Sequence, residues 1–125
     1  MKIRTTLLPA LMLASYAPAV CPSEPFACNM NALTPDERAR HAALTRKLLE
    51  AAIGQEDLPD GFVFELDAKV APLPEVAEWI SFESRCCPFL DFSLELHRKD
   101  AHPRLKLSGD AGVKEFLAAE LGVSR

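Results

Sequence analysis

The sequence predicts an α+β fold, a small mixed sheet of three strands with helices packed on one face, in the order α-β-α-β-β-α. Three observations carry this expectation. A capping box opens a helical pattern at Thr34, prolines bracket a second helix between Pro72 and Pro88, and two segments show apolar residues at every other position, Phe62 to Leu66 and Leu90 to Leu96.

Each element follows from local chemistry. Thr34-Pro35-Asp36-Glu37 places a hydroxyl cap, a proline at the first helical position and a glutamate three residues beyond the cap, so two otherwise orphan N–H groups find acceptors. Leu44, Leu48 and Ala52 then fall on one face, and Gly54 stops the helix, which is expected over 34–53. Asp60-Gly61 turns into a strand whose Phe62, Phe64 and Leu66 share one side. Pro72 and Pro74 open the second helix, which carries Val76, Trp79, Ile80 and Glu83. Pro88 ends it near Cys86, because the residue before a proline avoids the α region. Leu90, Phe92, Leu94 and Leu96 alternate with Asp91, Ser93, Glu95 and His97, the pattern of a strand with one buried and one wet face. A hairpin loop over 98–103 leads to a short strand around Leu105 and Leu107. Ser108-Gly109-Asp110 starts the last helix, with Val113, Phe116, Leu117 and Leu121 as its apolar stripe. The first two strands, joined through a helix, are expected to be parallel neighbours by a right-handed crossover, and the last two to form an antiparallel hairpin.

At 125 residues the chain has room for one domain. Hydrophobic residues make up 49% and charged residues 26%, the balance of a chain that folds. A formal charge of −4 supplies no basic footprint for a phosphate backbone, so nucleic acid is not an expected partner. No glycine-rich phosphate loop and no repeat is present.

The N-terminus reads as an export address. Lys2 and Arg4 precede an apolar run from Leu7 to Ala14, and the small-residue pattern Ala17-Pro18-Ala19 follows at the spacing a signal peptidase uses. Cleavage is expected after Ala19, because a cut after Ala17 would leave Pro18 first. The organisation is therefore a signal peptide over 1–19, a polar, proline-containing leader loop over 20–33, and one α+β domain over 34–125, placed in the periplasm or outside the cell. Competing readings are a membrane anchor, for which Thr5 to Val20 is short and broken by Pro9, a lipidated Cys21, which Val20 and Pro18 disfavour, and an extension upstream of a cytoplasmic domain beginning near Phe26. After signal cleavage no stable membrane insertion is expected.

Four cysteines hold the distinctive chemistry, at 21, 28, 86 and 87. Cys86 and Cys87 sit at the end of the second helix. Glu83 lies three residues before Cys86 and four before Cys87, the spacings at which helical side chains meet. Cys28 lies in the loop feeding the first helix, whose N-terminal N–H groups favour a thiolate if the loop folds back. Cys28, Cys86 and Cys87, with Glu83, are thus candidate ligands for a soft or borderline ion: zinc, copper(I) or mercury(II). The plainer reading is disulfides, since an even number of cysteines in an exported chain usually pairs. Cys28 joined to one of the vicinal residues would staple the leader to the second helix, leaving the other thiol exposed or matched with Cys21. A third reading is a thiol enzyme, a redox protein or a metal–carbon lyase, in which one cysteine attacks, the other resolves and Glu83 or Arg85 manages protons and charge.

The remaining candidates read more plainly. His41 shares a face with Leu44 and Leu48 and reads as a packing histidine before a ligand. His97 and His102 flank the hairpin as solvated residues, and Asp91, Ser93 and Glu95 form the wet face of a strand. Trp79 beside Phe82 reads as helix packing, or as the wall of an apolar pocket for a small molecule.

The segments Phe26-Ala27-Cys28-Asn29-Met30, Ala32-Leu33-Thr34-Pro35-Asp36-Glu37-Arg38, Leu58-Pro59-Asp60-Gly61 and Glu83-Ser84-Arg85-Cys86-Cys87-Pro88-Phe89 resemble a family of small uncharacterised bacterial proteins with an Arg-Cys-Cys-Pro-Phe signature. The resemblance covers about Phe26 to Leu121 and implies a link to heavy-metal responses and mercury-type regulators. By position it implies a site at Cys28, Glu83, Arg85, Cys86 and Cys87. This chain departs from that pattern in its export signal and in Cys21.

Overall fold

The computed structural model describes residues 26–123. The expected signal peptide over 1–19, the start of the leader and Cys21 lie outside the described residues. Within them the chain forms a 3-10 turn at Met30–Ala32, helix α1 at Pro35–Ala51, strands β1 at Ala52–Leu58 and β2 at Gly61–Leu66, helix α2 at Leu73–Cys86, strands β3 at Asp91–Glu95 and β4 at Arg104–Ser108, and helix α3 at Val113–Leu121. The class is α+β. No helix among the described residues is long and apolar enough to cross a membrane.

The capping box forms as the sequence demands. Thr34 Oγ1 accepts from the Glu37 N–H at 3.2 Å, and Glu37 Oε1 accepts from the Thr34 N–H at 3.0 Å. Helix α1 then ends at Ala51, not at Ile53, because Ala52 passes directly into an additional strand. The sheet therefore has four strands, not three, in the order β1-β2-β4-β3, and every neighbouring pair is antiparallel. The expected parallel neighbours, β2 and β3, do run the same way through the α2 crossover, but β4 lies between them. Inserting β4 gives both partners antiparallel ladders, whose hydrogen bonds are straighter than parallel ones. The loop from Leu58 to Gly61 is closed by Pro59 and Asp60 alone. Gly61 is required there, since a Cβ would meet the Leu107 carbonyl oxygen at 1.9 Å.

Register puts the apolar residues in rows across the sheet. Phe62 faces Leu107, which faces Phe92; Phe64 faces Leu105, which faces Leu94. This side is covered by Leu44, Leu48 and Ala51 of α1, Val76 and Trp79 of α2, and Val113, Phe116 and Leu117 of α3, all buried. Each of the buried leucine, valine and phenylalanine side chains contributes about 1.5–3 kcal/mol relative to exposure. The other side carries Glu56, Glu65, Lys106 and Arg104, with Arg104 Nη2 2.7 Å from Glu56 Oε2. Strand β3 stops at Glu95, and Leu96, expected on its buried side, is exposed. Helix α3 starts at Val113 behind Gly112, whose φ of 98° lies in the left-handed region that favours glycine, so Ser108-Gly109-Asp110 belongs to the approach and not to the helix.

The leader is not wholly free of structure. Leu33 is buried in the core, and the Phe26 ring packs 4.9 Å from that of Phe89. Helices α1 and α2 lie side by side, which sets the N-terminal half of α1 against the C-terminal half of α2, where the cysteines are.

Candidate metal centre

The C-terminus of α2 assembles the site. Cys86 is the last residue of the helix and Cys87 its cap, with the Cys87 N–H donating to the Glu83 carbonyl at 2.7 Å. Proline 88 cannot continue the ladder, so the chain turns with both sulfurs directed into the protein. Cys86 and Cys87 are fully buried and Glu83 is 8% exposed.

The leader brings the third sulfur. Cys28 is joined to Cys87 by a disulfide that spans 59 residues of sequence, with Cα atoms 4.7 Å apart. Staple and cluster thus coexist. One sulfur atom of each of Cys28, Cys86 and Cys87 and a carboxylate oxygen of Glu83 all lie within 4.8 Å of one another. Cys86 Sγ is 3.9 Å from Cys87 Sγ and 3.9 Å from Glu83 Oε2. A tetrahedral ion with metal–sulfur bonds of about 2.3 Å has ligand–ligand edges of about 3.8 Å, so these edges already have the length of a coordination polyhedron. Among the described residues the thiol left over by the disulfide is Cys86, and it is buried, which overturns the expectation of an exposed thiol; the alternative match with Cys21 falls outside the described residues. Desolvation, then the neighbouring Glu83 charge, pushes its pKa up to about 11, the opposite of what activates a nucleophile.

Glu83 is held from behind. His41 Nε2 donates to Glu83 Oε2 at 2.5 Å across the α1–α2 contact. The imidazole lies parallel to the Trp79 indole, with centroids 6.4 Å apart. The indole N–H donates to Thr45 Oγ1 at 3.0 Å, and that hydroxyl donates to the His41 carbonyl at 2.8 Å. His41 is therefore more than a packing residue: it fixes the orientation of the carboxylate beside the sulfurs. The signal for it lay in two pairs at helical spacing, His41 with Thr45 and Trp79 with Glu83, but nothing in the sequence sets those pairs face to face.

Arg85 points elsewhere. Its guanidinium makes a bidentate pair with Glu37, and Nη2 also donates to the Ala32 carbonyl at 2.8 Å. The hydrogen bonds from the Arg85 guanidinium and then from the Thr34 N–H hold the Glu37 carboxyl down at about 2. Arg85 thus ties the leader and the start of α1 to the end of α2 through its hydrogen bonds. The cavity that Trp79 lines together with Leu48, Phe64, Leu66, Leu105 and Leu107 is about 20 Å³, room for one water. His97 is exposed and pairs with Glu95 at 3.3 Å, His102 is half-buried, and Asp91, Ser93 and Glu95 are exposed as expected.

No protein-family model, no curated protein and no solved structure matches the chain.

Proposed function

We propose that this protein binds a thiophilic metal ion through Cys28, Cys86, Cys87 and Glu83 when its disulfide is reduced. The observation that carries the reading is the convergence of three sulfurs and one carboxylate within 4.8 Å, three of the four residues being buried. Thiolate-rich donors select soft and borderline ions, and zinc, copper(I) and mercury(II) are the candidates.

Export to an oxidising compartment belongs to the same reading, supported by the signal-like N-terminus and by the presence of a disulfide. The resemblance to the Arg-Cys-Cys-Pro-Phe family points the same way, toward heavy-metal response. One observation favours a second reading, a stapled domain with no chemistry of its own: the Cys28–Cys87 bond is the bridge such a domain needs. It leaves unexplained why a third sulfur, a carboxylate and its histidine are buried against that bridge. A nucleophilic enzyme is the poorest fit, because Cys86 is inaccessible and its thiol is made weakly acidic.

The test is a titration of the reduced chain with zinc, copper(I) and mercury(II) in competition with a chelator, so that bound ion is counted directly. Binding of about one equivalent of ion, lost in Cys86→Ser and in Cys87→Ser, is the expected result. Failure to bind any of the three ions leaves the stapled domain as the better account.

A further inference from the structure

We propose that the Cys28–Cys87 disulfide is a redox gate on the metal centre, closed by oxidation and opened by a dithiol reductant, with the leader held in place in both states. The inference rests on the metal-binding reading and specifies how that site is regulated.

Its first support is stoichiometric. The disulfide consumes two of the three sulfurs, so that of the four residues of the cluster Cys86 and Glu83 remain as donors. A single buried thiol with one carboxylate is too small a set for the ions that thiolate sites select. The oxidised chain is therefore closed to metal, and the state of one covalent bond decides whether the site exists.

The second support is that the disulfide is not what holds Cys28 against α2. The Asn29 N–H donates to the Cys86 carbonyl at 2.7 Å, one residue from the bridge. Arg85 Nη2 donates to the Ala32 carbonyl at 2.8 Å, Leu33 is buried in the core, and Phe26 packs on Phe89 with centroids 4.9 Å apart. These contacts bracket Cys28 on both sides and none involves a sulfur. Breaking the S–S bond frees two thiols without freeing the backbone that carries them, so the three sulfurs remain gathered and metal binding pays no ordering cost for the leader.

The third support is access. Of the three cysteines, Cys87 and Cys86 are fully buried, while Cys28 is part exposed. An incoming thiolate therefore meets Cys28 first. Its attack on Cys28 Sγ forms a mixed disulfide and expels Cys87 as a thiolate, which takes a proton. The second thiol of the reductant then attacks its own sulfur in the mixed disulfide, releasing Cys28 as a thiol and leaving the reductant as its disulfide. Two electrons and two protons pass from the dithiol to the protein. In an oxidising compartment the closed form is the resting state, and uptake of metal reports the arrival of reductant.

The test uses the full chain carrying Cys21→Ser, so that every thiol counted belongs to the centre. Cadmium(II), whose thiolate charge-transfer absorbance reports sulfur ligation, is titrated into the oxidised and the dithiol-reduced forms, and amide exchange at Asn29 is followed in both. The expected result is uptake of cadmium by the reduced form only, with the Asn29 amide protected in both forms. The same titration on Cys28→Ser, which cannot close the gate, is expected to show weaker uptake that no longer depends on reductant. Uptake of cadmium by the oxidised form overturns the gate while leaving the metal-binding reading intact. Loss of Asn29 protection on reduction overturns the claim that the leader stays in place. Absence of uptake by either form overturns the metal-binding reading and the gate together.

Discussion

His41 Nε2 sits 2.5 Å from Glu83 Oε2, and the same oxygen is 3.9 Å from Cys86 Sγ, so one carboxylate oxygen stands between an imidazole on α1 and a thiol on α2. The carboxylate is buried, and its orientation depends on that imidazole, which in turn is set by the parallel Trp79 ring and by Thr45 bridging the indole to the His41 carbonyl. Removing His41 takes from this buried acceptor its close partner and leaves it the more distant Cys86 thiol.

His41→Ala is therefore expected to weaken metal binding by the reduced chain about 10–100-fold, the usual effect of deleting a group that orients a ligand. It is also expected to lower stability by about 1–3 kcal/mol through loss of the hydrogen bond to the buried Glu83 carboxylate. Competition with a chelator, scored per folded molecule, separates the two effects. His41→Gln, whose amide can still donate to Glu83, is expected to recover part of the affinity. Unchanged affinity in His41→Ala would mean that Glu83 takes no part in the centre.

The Glu37–Arg85 pair makes a prediction about acid. The folded-state pKa of Glu37 lies near 2, below the ordinary 4.5, so between those values the unfolded chain binds the extra proton. Stability from this group is fully present above pH 4.5 and is lost as pH falls toward 2. Denaturant midpoints of the native chain and of Glu37→Gln should differ at neutral pH and converge over that window. A gap that persists undiminished at the acid end would show that the carboxylate's charge is not what Arg85 holds.

The disulfide makes a prediction about stability that is separate from the gate. Closing a loop of 59 residues restricts the unfolded chain, and its removal costs roughly 2–4 kcal/mol. Urea unfolding of Cys28→Ser without reductant should show this loss, and adding a dithiol should change the native chain but not the variant. Equal midpoints for both proteins in the absence of reductant would mean that the bridge is not formed in solution.

What the sequence made legible follows from how local each signal is. The capping box at Thr34, the end of α2 before Pro88 and the alternation in β2 and β3 are fixed within a few residues, and each appears in the structure. Strand β1 was hidden because it is an edge strand built from Ala52-Ile53-Gly54-Gln55-Glu56-Asp57-Leu58, whose polar run carries no apolar alternation. Its pairing with β2 comes from backbone hydrogen bonds and from the two-residue turn at Pro59-Asp60. That turn, with Gly61 after it, was the available sign of a hairpin. Gly54, at the position of a helix stop by sequence, lies instead beside a bulge in β1, so α1 is shorter than the glycine's position suggests. Convergence of Cys28, Glu83, Cys86 and Cys87 was legible from helical spacing and a loop that can fold back. The partner of His41 was not, because only the packing of α1 on α2 creates it.

Cys86 carries the last prediction. Its thiol is buried and pushed up to about 11, first by desolvation and then by the Glu83 charge, so in the folded oxidised chain it stays protonated at neutral pH and out of reach of an alkylating agent. Unfolding removes both effects and returns it toward the ordinary 9.0. Iodoacetamide followed by peptide mass mapping should therefore leave Cys86 unmodified in the native oxidised chain and modify it fully in denaturant. In Glu83→Gln, where the nearby charge is gone but burial remains, protection should persist, because access and not acidity is the larger barrier. Ready alkylation of Cys86 in the native chain would place the thiol at the surface. It would then restore the nucleophilic reading that its burial argues against.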